Sequence, residues 1–130
     1  MSVRNVVLDS SAWIEYILDG PNAGEYAKAL QAPAERIIVP TVCIFEVYRS
    51  IERIVSVKEA LAVTMSMQTF TVDILSEGRA REAAMISRTH ALSTADAVIY
   101  ATALAHNADL LTQDADFMKL PSVRYFKRSR

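Results

Sequence analysis

Five acidic residues stand where this sequence changes character. Asp9 closes the apolar run "VVLD", Glu46 sits in "PTVCIFEVY", Asp96 lies between two alanines in "STADAVIYATALAH", and Asp114 and Asp116 follow "DLLT" in "LLTQDADF". Gathered on one rim they repel: two carboxylates about 4 Å apart cost about 4 kcal/mol at an effective dielectric of about 20. One remedy is to share protons, which raises some of their pKa values. The other is a cation, and an all-oxygen set without His or Cys suits Mg²⁺ or Mn²⁺ better than Zn²⁺. Such ions polarise a phosphate, acidify a water and, in pairs, brace the attacking and leaving oxygens. Phosphodiester hydrolysis is the chemistry that follows most directly, and it needs no protein nucleophile.

Each acid also has a plainer reading. Asp9 can cap the helix of "SSAWIEY", although Ser10 or Ser11 can do the same. Glu46 can pair with Arg49 along one helical face, but Phe45 and Val47 beside it point to partial burial, where an idle acid is costly. Asp96 can serve the helix dipole in a first turn, and Asp114 and Asp116 can be turn residues. Arg49 and Arg53 share the Glu46 face, either as phosphate contacts or as a solvated face with Glu52. Thr94 is either an N-cap or a hydroxyl that orients Asp96, and Ser10 carries the same ambiguity beside Asp9. His90 and His106 belong to no ligand motif and read as structural, and Cys43 as a core residue. The tail "RYFKRSR" gathers Arg124, Lys127, Arg128 and Arg130 around Tyr125 and Phe126, either to track RNA or to keep a terminal strand soluble.

The elements that must position these residues are legible from periodicity. Five short apolar segments predict strands over Arg4 to Leu8, Ile37 to Val39, Phe70 to Val72, Asp109 to Thr112 and Val123 to Phe126. Between them "SAWIEYIL", "GEYAKALQA", "TVCIFEVYRSIERI", "VKEALAVTMSM", "DILSEGRAREAAMISRTHAL" and "TADAVIYATALAH" have helical spacing. Strands alternating with helices predict a parallel sheet covered on both faces. In such folds helix N-termini and strand C-termini meet at the sheet's carboxyl edge, where ligands bind. That geometry brings Asp9, Glu46, Asp96 and Asp114 to one rim.

Composition bounds the rest. A chain of 130 residues with 52% hydrophobic and 22% charged residues predicts one folded domain over 1–130. A lone cysteine excludes a disulfide framework and a Cys/His metal set and points to the cytoplasm. No apolar stretch reaches the roughly 18 residues of a membrane span, and no export signal is visible. The net charge of −1 means that any nucleic-acid binding comes from a local patch.

The motifs "VVLDSSAWIEY", "PTVCIFEVYRSI" and "STADAVIYATALAHNADLLTQDADF", in that order, resemble those of PIN-domain ribonucleases, and more narrowly VapC toxins of VapBC toxin–antitoxin modules. The resemblance spans nearly the whole chain. It implies a three-layer α/β/α fold with a five-stranded parallel sheet, dependence on Mg²⁺ or Mn²⁺, endonucleolytic cleavage of RNA, homodimerisation and neutralisation by a VapB-like antitoxin. The family's acids fall on Asp9, Glu46, Asp96 and Asp114, with Asp116 as an additional acid of some members. In this assignment Asp9, Asp96 and Asp114 hold the ion or ions, Glu46 holds a second ion or positions the attacking water, and Asp116 supports the outer part of the site.

Two other classes gather acids at the same edge. A receiver-type phosphoacceptor module needs an aspartate ending a middle strand and a lysine ending a later one; "FTVD" offers Asp73, but no lysine follows "DLLT". A haloacid-dehalogenase-like phosphatase needs a second aspartate two positions after Asp9, where Ser11 stands. A catalytically silent PIN-like scaffold that binds RNA or protein is the remaining alternative, and response to a divalent cation separates it from an enzyme.

Overall fold

The computed structural model describes residues 3–129; Arg130, counted above in the basic tail, lies outside the described residues. Five strands form: β1 (Asn5–Leu8), β2 (Ile38–Pro40), β3 (Thr71–Asp73), β4 (Ala108–Thr112) and β5 (Val123–Tyr125). Six α-helices lie between them: α1 (Ser10–Ile17), α2 (Ala23–Ala29), α3 (Thr41–Ile54), α4 (Val57–Met67), α5 (Glu77–His90) and α6 (Thr94–Ala105). All strand pairs are parallel, as the alternation of strand and helix predicts.

The expected single five-stranded sheet is resolved differently. Hydrogen bonds define a three-stranded sheet, β1-β4-β5, and a two-stranded sheet, β2-β3. A lone parallel bridge, Val6 to Ile37, is the contact between their neighbouring strands. β2 is only three residues long and ends at Pro40, which has no N–H to extend the ladder.

Local chemistry sets the element ends. Ser56, Ser76 and Ser93 cap α4, α5 and α6 by accepting the backbone N–H of Glu59, Arg79 and Asp96. The helix expected from "DILSEGRAREAA" therefore starts at Glu77, after the Ser76 cap, and Asp73 is the last residue of β3.

Val7, Leu8, Val39, Leu110 and Leu111 are fully buried in the strands, as is Ile37 just before β2, the pattern of parallel strands covered on both faces. The helices pair as α1 with α2, α3 with α4 and α5 with α6. Every residue of α6 from Ala97 to Ala103 is buried, which fixes the direction of this helix and hence the place of Asp96 in its first turn. Among the described residues no helix is long and apolar enough to cross a membrane.

His106 and Asp73 have structural partners. Asp73 accepts from Arg79 Nε at 3.2 Å and Nη2 at 2.9 Å, and lies 2.7 Å from His106 Nε2. Burial works against its ionisation, but these hydrogen bonds and charges hold its carboxyl below the usual range. With its oxygens engaged by Arg79 and His106, Asp73 has the partners of a structural ion pair, which speaks against the receiver alternative. His90 packs edge-on against Tyr100, with ring centroids 5.8 Å apart.

Candidate active site

The site is built where β1 and β4 end. The ladder continues one step past β1, with Asp9 N–H donating to Leu111 O at 3.1 Å. Asp9 is buried, with 3% of its surface exposed. It is also the N-cap of α1: Oδ1 accepts from the Ala12 N–H at 2.9 Å and from the Ser11 hydroxyl at 2.7 Å. Capping and a place in the site are therefore not alternatives for this residue. Oδ2 accepts from the Thr112 hydroxyl at 2.5 Å. These bonds occupy three of the roughly four lone-pair positions of a carboxylate, so its orientation is fixed and capacity for one further partner remains.

Burial pushes the Asp9 carboxyl up from 3.8 to about 6, against the hydrogen bonds of Thr112, Ser11 and Ala12 and with a contribution from the charge of Asp114. Asp96 is raised from 3.8 to about 6 as well, first by burial, then by Asp114, with Ser93 opposing and Asp9 and Glu46 adding to the rise. Burial is the main cause in both cases, and the charges of neighbouring acids add to it, the circumstance in which a cation is favourable.

Carboxylate oxygens of Asp96, Asp114 and Asp116 lie within 4.8 Å of one another. Asp116, which the sequence reading assigned to the outer part of the site, belongs to this group. Asp114 caps a short 3-10 helix, Ala115–Phe117, and accepts the Asp116 N–H at 2.9 Å. That turn folds Asp116 back beside Asp114. Asp9, more deeply buried, is joined to Asp114 through Thr112, which also accepts the Asp114 N–H at 2.9 Å. Glu46, half-buried on α3, accepts from the Ser10 hydroxyl at 2.5 Å, which ties α3 to the start of α1.

Oxygen-only donors at this spacing, with two members pushed towards neutrality, fit a hard divalent cation of the Mg²⁺ or Mn²⁺ kind. Asp96, Asp114 and Asp116 are the residues that would hold it, with Asp9 and Glu46 next to them.

Thr94 is exposed, and Ser93 rather than Thr94 caps α6 and hydrogen-bonds at Asp96. Arg49 lies over the Phe45 ring at 5.4 Å, and Arg53 is exposed. Among the described residues neither arginine forms an ion pair.

The sequence reading missed Thr112. Its signal was a hydroxyl at the buried end of a strand, "DLLT", where an aliphatic residue would continue the pattern. Thr112→Val keeps the shape and removes the donor to Asp9. The expected result is a divalent-ion affinity reduced by about 10- to 100-fold, as for other supporting hydrogen bonds around metal sites, read by calorimetric titration of Mn²⁺. Unchanged affinity would show that Thr112 merely fills space.

The family model of the PIN domain matches residues 6–122. No curated protein sequence matches the chain. Among solved structures, the chain is similar to a toxin–antitoxin complex from Klebsiella pneumoniae at 22% identity and TM-score 0.77, covering 95% of this chain and 100% of that one. It is similar to the sarcin-ricin-loop-cleaving toxin VapC20 of Mycobacterium tuberculosis at 15% identity and TM-score 0.74, covering 90% and 95%. The DNA-bound VapBC complex of Salmonella typhimurium matches at 17% identity and TM-score 0.73, covering 96% and 98%.

Proposed function

This chain belongs to the PIN-domain family, and on that premise we propose that it is a Mg²⁺- or Mn²⁺-dependent endoribonuclease, the VapC-type toxin of a type II toxin–antitoxin module. The observation that carries this reading is the cluster of Asp96, Asp114 and Asp116 within 4.8 Å, backed by the buried Asp9. A bound Mg²⁺ or Mn²⁺ supplies charge neutralisation for the scissile phosphate and a more acidic water.

This chain's residues do the positioning. Asp96, Asp114 and Asp116 would hold the ion. Asp9, locked by Thr112, Ser11 and the Ala12 N–H, completes the site. Glu46, steadied by Ser10, would orient the attacking water or help to hold a second ion. In this reading Ser10 supports Glu46, and Ser93 rather than Thr94 supports Asp96. The five strands act as one sheet in the order β3-β2-β1-β4-β5, joined at Val6 and Ile37.

A VapB-like antitoxin and a second copy of this chain are the proposed protein partners, and the cytoplasm the proposed compartment. Support for the antitoxin is that several structural neighbours are toxin–antitoxin complexes. The test is cleavage of a pooled RNA substrate by the purified chain. EDTA should abolish cleavage, and Mg²⁺ or Mn²⁺ should restore it. Cleavage indifferent to EDTA would overturn the metal-dependent reading; no cleavage under any ion would favour the silent scaffold.

A further inference from the structure

A nuclease of this kind must bind a polyanion, yet the chain carries a net charge of −1 and its site is lined with acids. Cations are supplied beside that site by the segment that leaves β5. Phe126 N–H donates to Thr112 O at 2.9 Å, so the chain emerges level with the residue whose hydroxyl holds Asp9. One position on, Lys127 O accepts from Asn22 Nδ2 at 3.1 Å. The same Asn22 amide donates to Gln113 Oε1 at 3.0 Å, and Gln113 is the buried residue between Thr112 and Asp114.

Aromatic contacts complete the attachment. Tyr26, which also donates to Gln113 Oε1 at 3.4 Å, meets the Phe126 ring edge-on at 5.5 Å. Arg124 lies 5.8 Å from the same Phe126 ring. The segment is thus held by its backbone and by one ring, while Lys127 and Arg128 are exposed. Among the described residues no carboxylate pairs with either.

An ordered backbone bearing unpaired cations next to an acidic site suits a phosphate chain better than a solubilising tail, because the entropy of ordering is already spent before the ligand arrives. We propose that Lys127 and Arg128, held at the rim by the Asn22–Gln113 latch, contact the phosphates of the RNA strand flanking the scissile bond. This rests on the ribonuclease reading above. Asn22 is a positioning residue, and Lys127 and Arg128 are the contacts.

The test measures binding rather than cleavage, using a short 2′-O-methyl RNA in Ca²⁺ buffer, followed by fluorescence anisotropy across a salt series. The double variant K127Q/R128Q should weaken binding by about tenfold. The slope of log affinity against log salt should fall by about 1.4, two contacts at about 0.7 each for a single strand. Asn22→Ala, which keeps both charges and removes the latch, should give an intermediate loss. The melting shift induced by Mn²⁺ should stay unchanged in both variants, since neither alters an acid.

A double variant that binds RNA with wild-type affinity and salt slope overturns the proposal, as does a wild type that binds no RNA. Wild-type RNA affinity combined with lost binding to a polyglutamate peptide also overturns it, and makes the segment a docking arm for an acidic protein. Wild-type protein that binds this RNA through these residues but cleaves no unmodified RNA in Mg²⁺ or Mn²⁺ would instead sink the ribonuclease reading alone.

Discussion

Asp114→Asn is expected to lower RNA cleavage by about 10³-fold, about 4 kcal/mol of transition-state stabilisation, while leaving the fold intact. Asp114 is the member of the site that the others feel most directly: it raises Asp96 after burial and contributes to the rise of Asp9. It also shares the 4.8 Å cluster with Asp96 and Asp116. Its side chain accepts the Asp116 N–H, and an asparagine carbonyl keeps that bond. The substitution therefore removes charge with little change of shape.

Without the ion, losing that charge relieves Asp96, so the melting temperature of the metal-free variant should equal or exceed that of the wild type. Loss of cleavage with a retained or raised melting temperature separates a site effect from a folding defect. Asp96→Asn should behave the same way. Variants that cleave RNA at the wild-type rate would remove the basis for the proposed site.

The second large effect is in the stability of the metal-free protein as a function of pH. Asp9 titrates near 3.8 when unfolded and about 6 when folded, and Asp96 shifts in the same direction. Between these values the folded form keeps protons that the unfolded chain has released. Stability is therefore highest below pH 4 as far as these two groups are concerned, and falls as pH rises towards 6 and 7. The shift of Asp9 alone corresponds to about 3 kcal/mol. Asp73, held below its usual range by Arg79 and His106, works in the opposite sense: its contribution is present above about pH 4 and lost as pH falls further.

A divalent cation that binds the folded form should oppose the fall. At about 100 times its Kd it contributes about 2.7 kcal/mol, or about 10 °C in melting temperature for a domain of this size. Thermal scans from pH 4 to 8, with and without Mn²⁺, check both statements. A metal-free melting temperature that climbs from pH 4 to 7, or a curve that Mn²⁺ leaves unmoved at pH 7, would show that the acids are not strained when empty.

What was legible in the sequence follows from which physical signals are local. Apolar segments such as "NVVL" and "DLLT" announced strands through β-branched and aliphatic content, and α3 and α4 begin and end where the pattern in "TVCIFEVYRSIERI" and "VKEALAVTMSM" does. The start of α5 was misplaced because "DILSEGRAREAA" stays compatible with a helix until the Ser76 hydroxyl takes the Arg79 N–H, and a cap is a hydrogen bond rather than a pattern. Taking Thr94 rather than Ser93 as the hydroxyl at the head of α6 is the same kind of error.

The sequence by itself determined the alternation of strands and helices, and with it the edge at which Asp9, Glu46, Asp96 and Asp114 had to meet, because parallel crossovers return every helix to that edge. Only the tertiary structure decided which of them touch. Asp116 joins Asp96 and Asp114 because a 3-10 turn reverses the chain after Thr112. Asp9 is joined to Asp114 because Thr112, a residue more than a hundred positions away, lies one strand over in register. Side-chain distances of a few ångströms depend on register, burial and turn geometry together, and no periodicity along the chain encodes their sum.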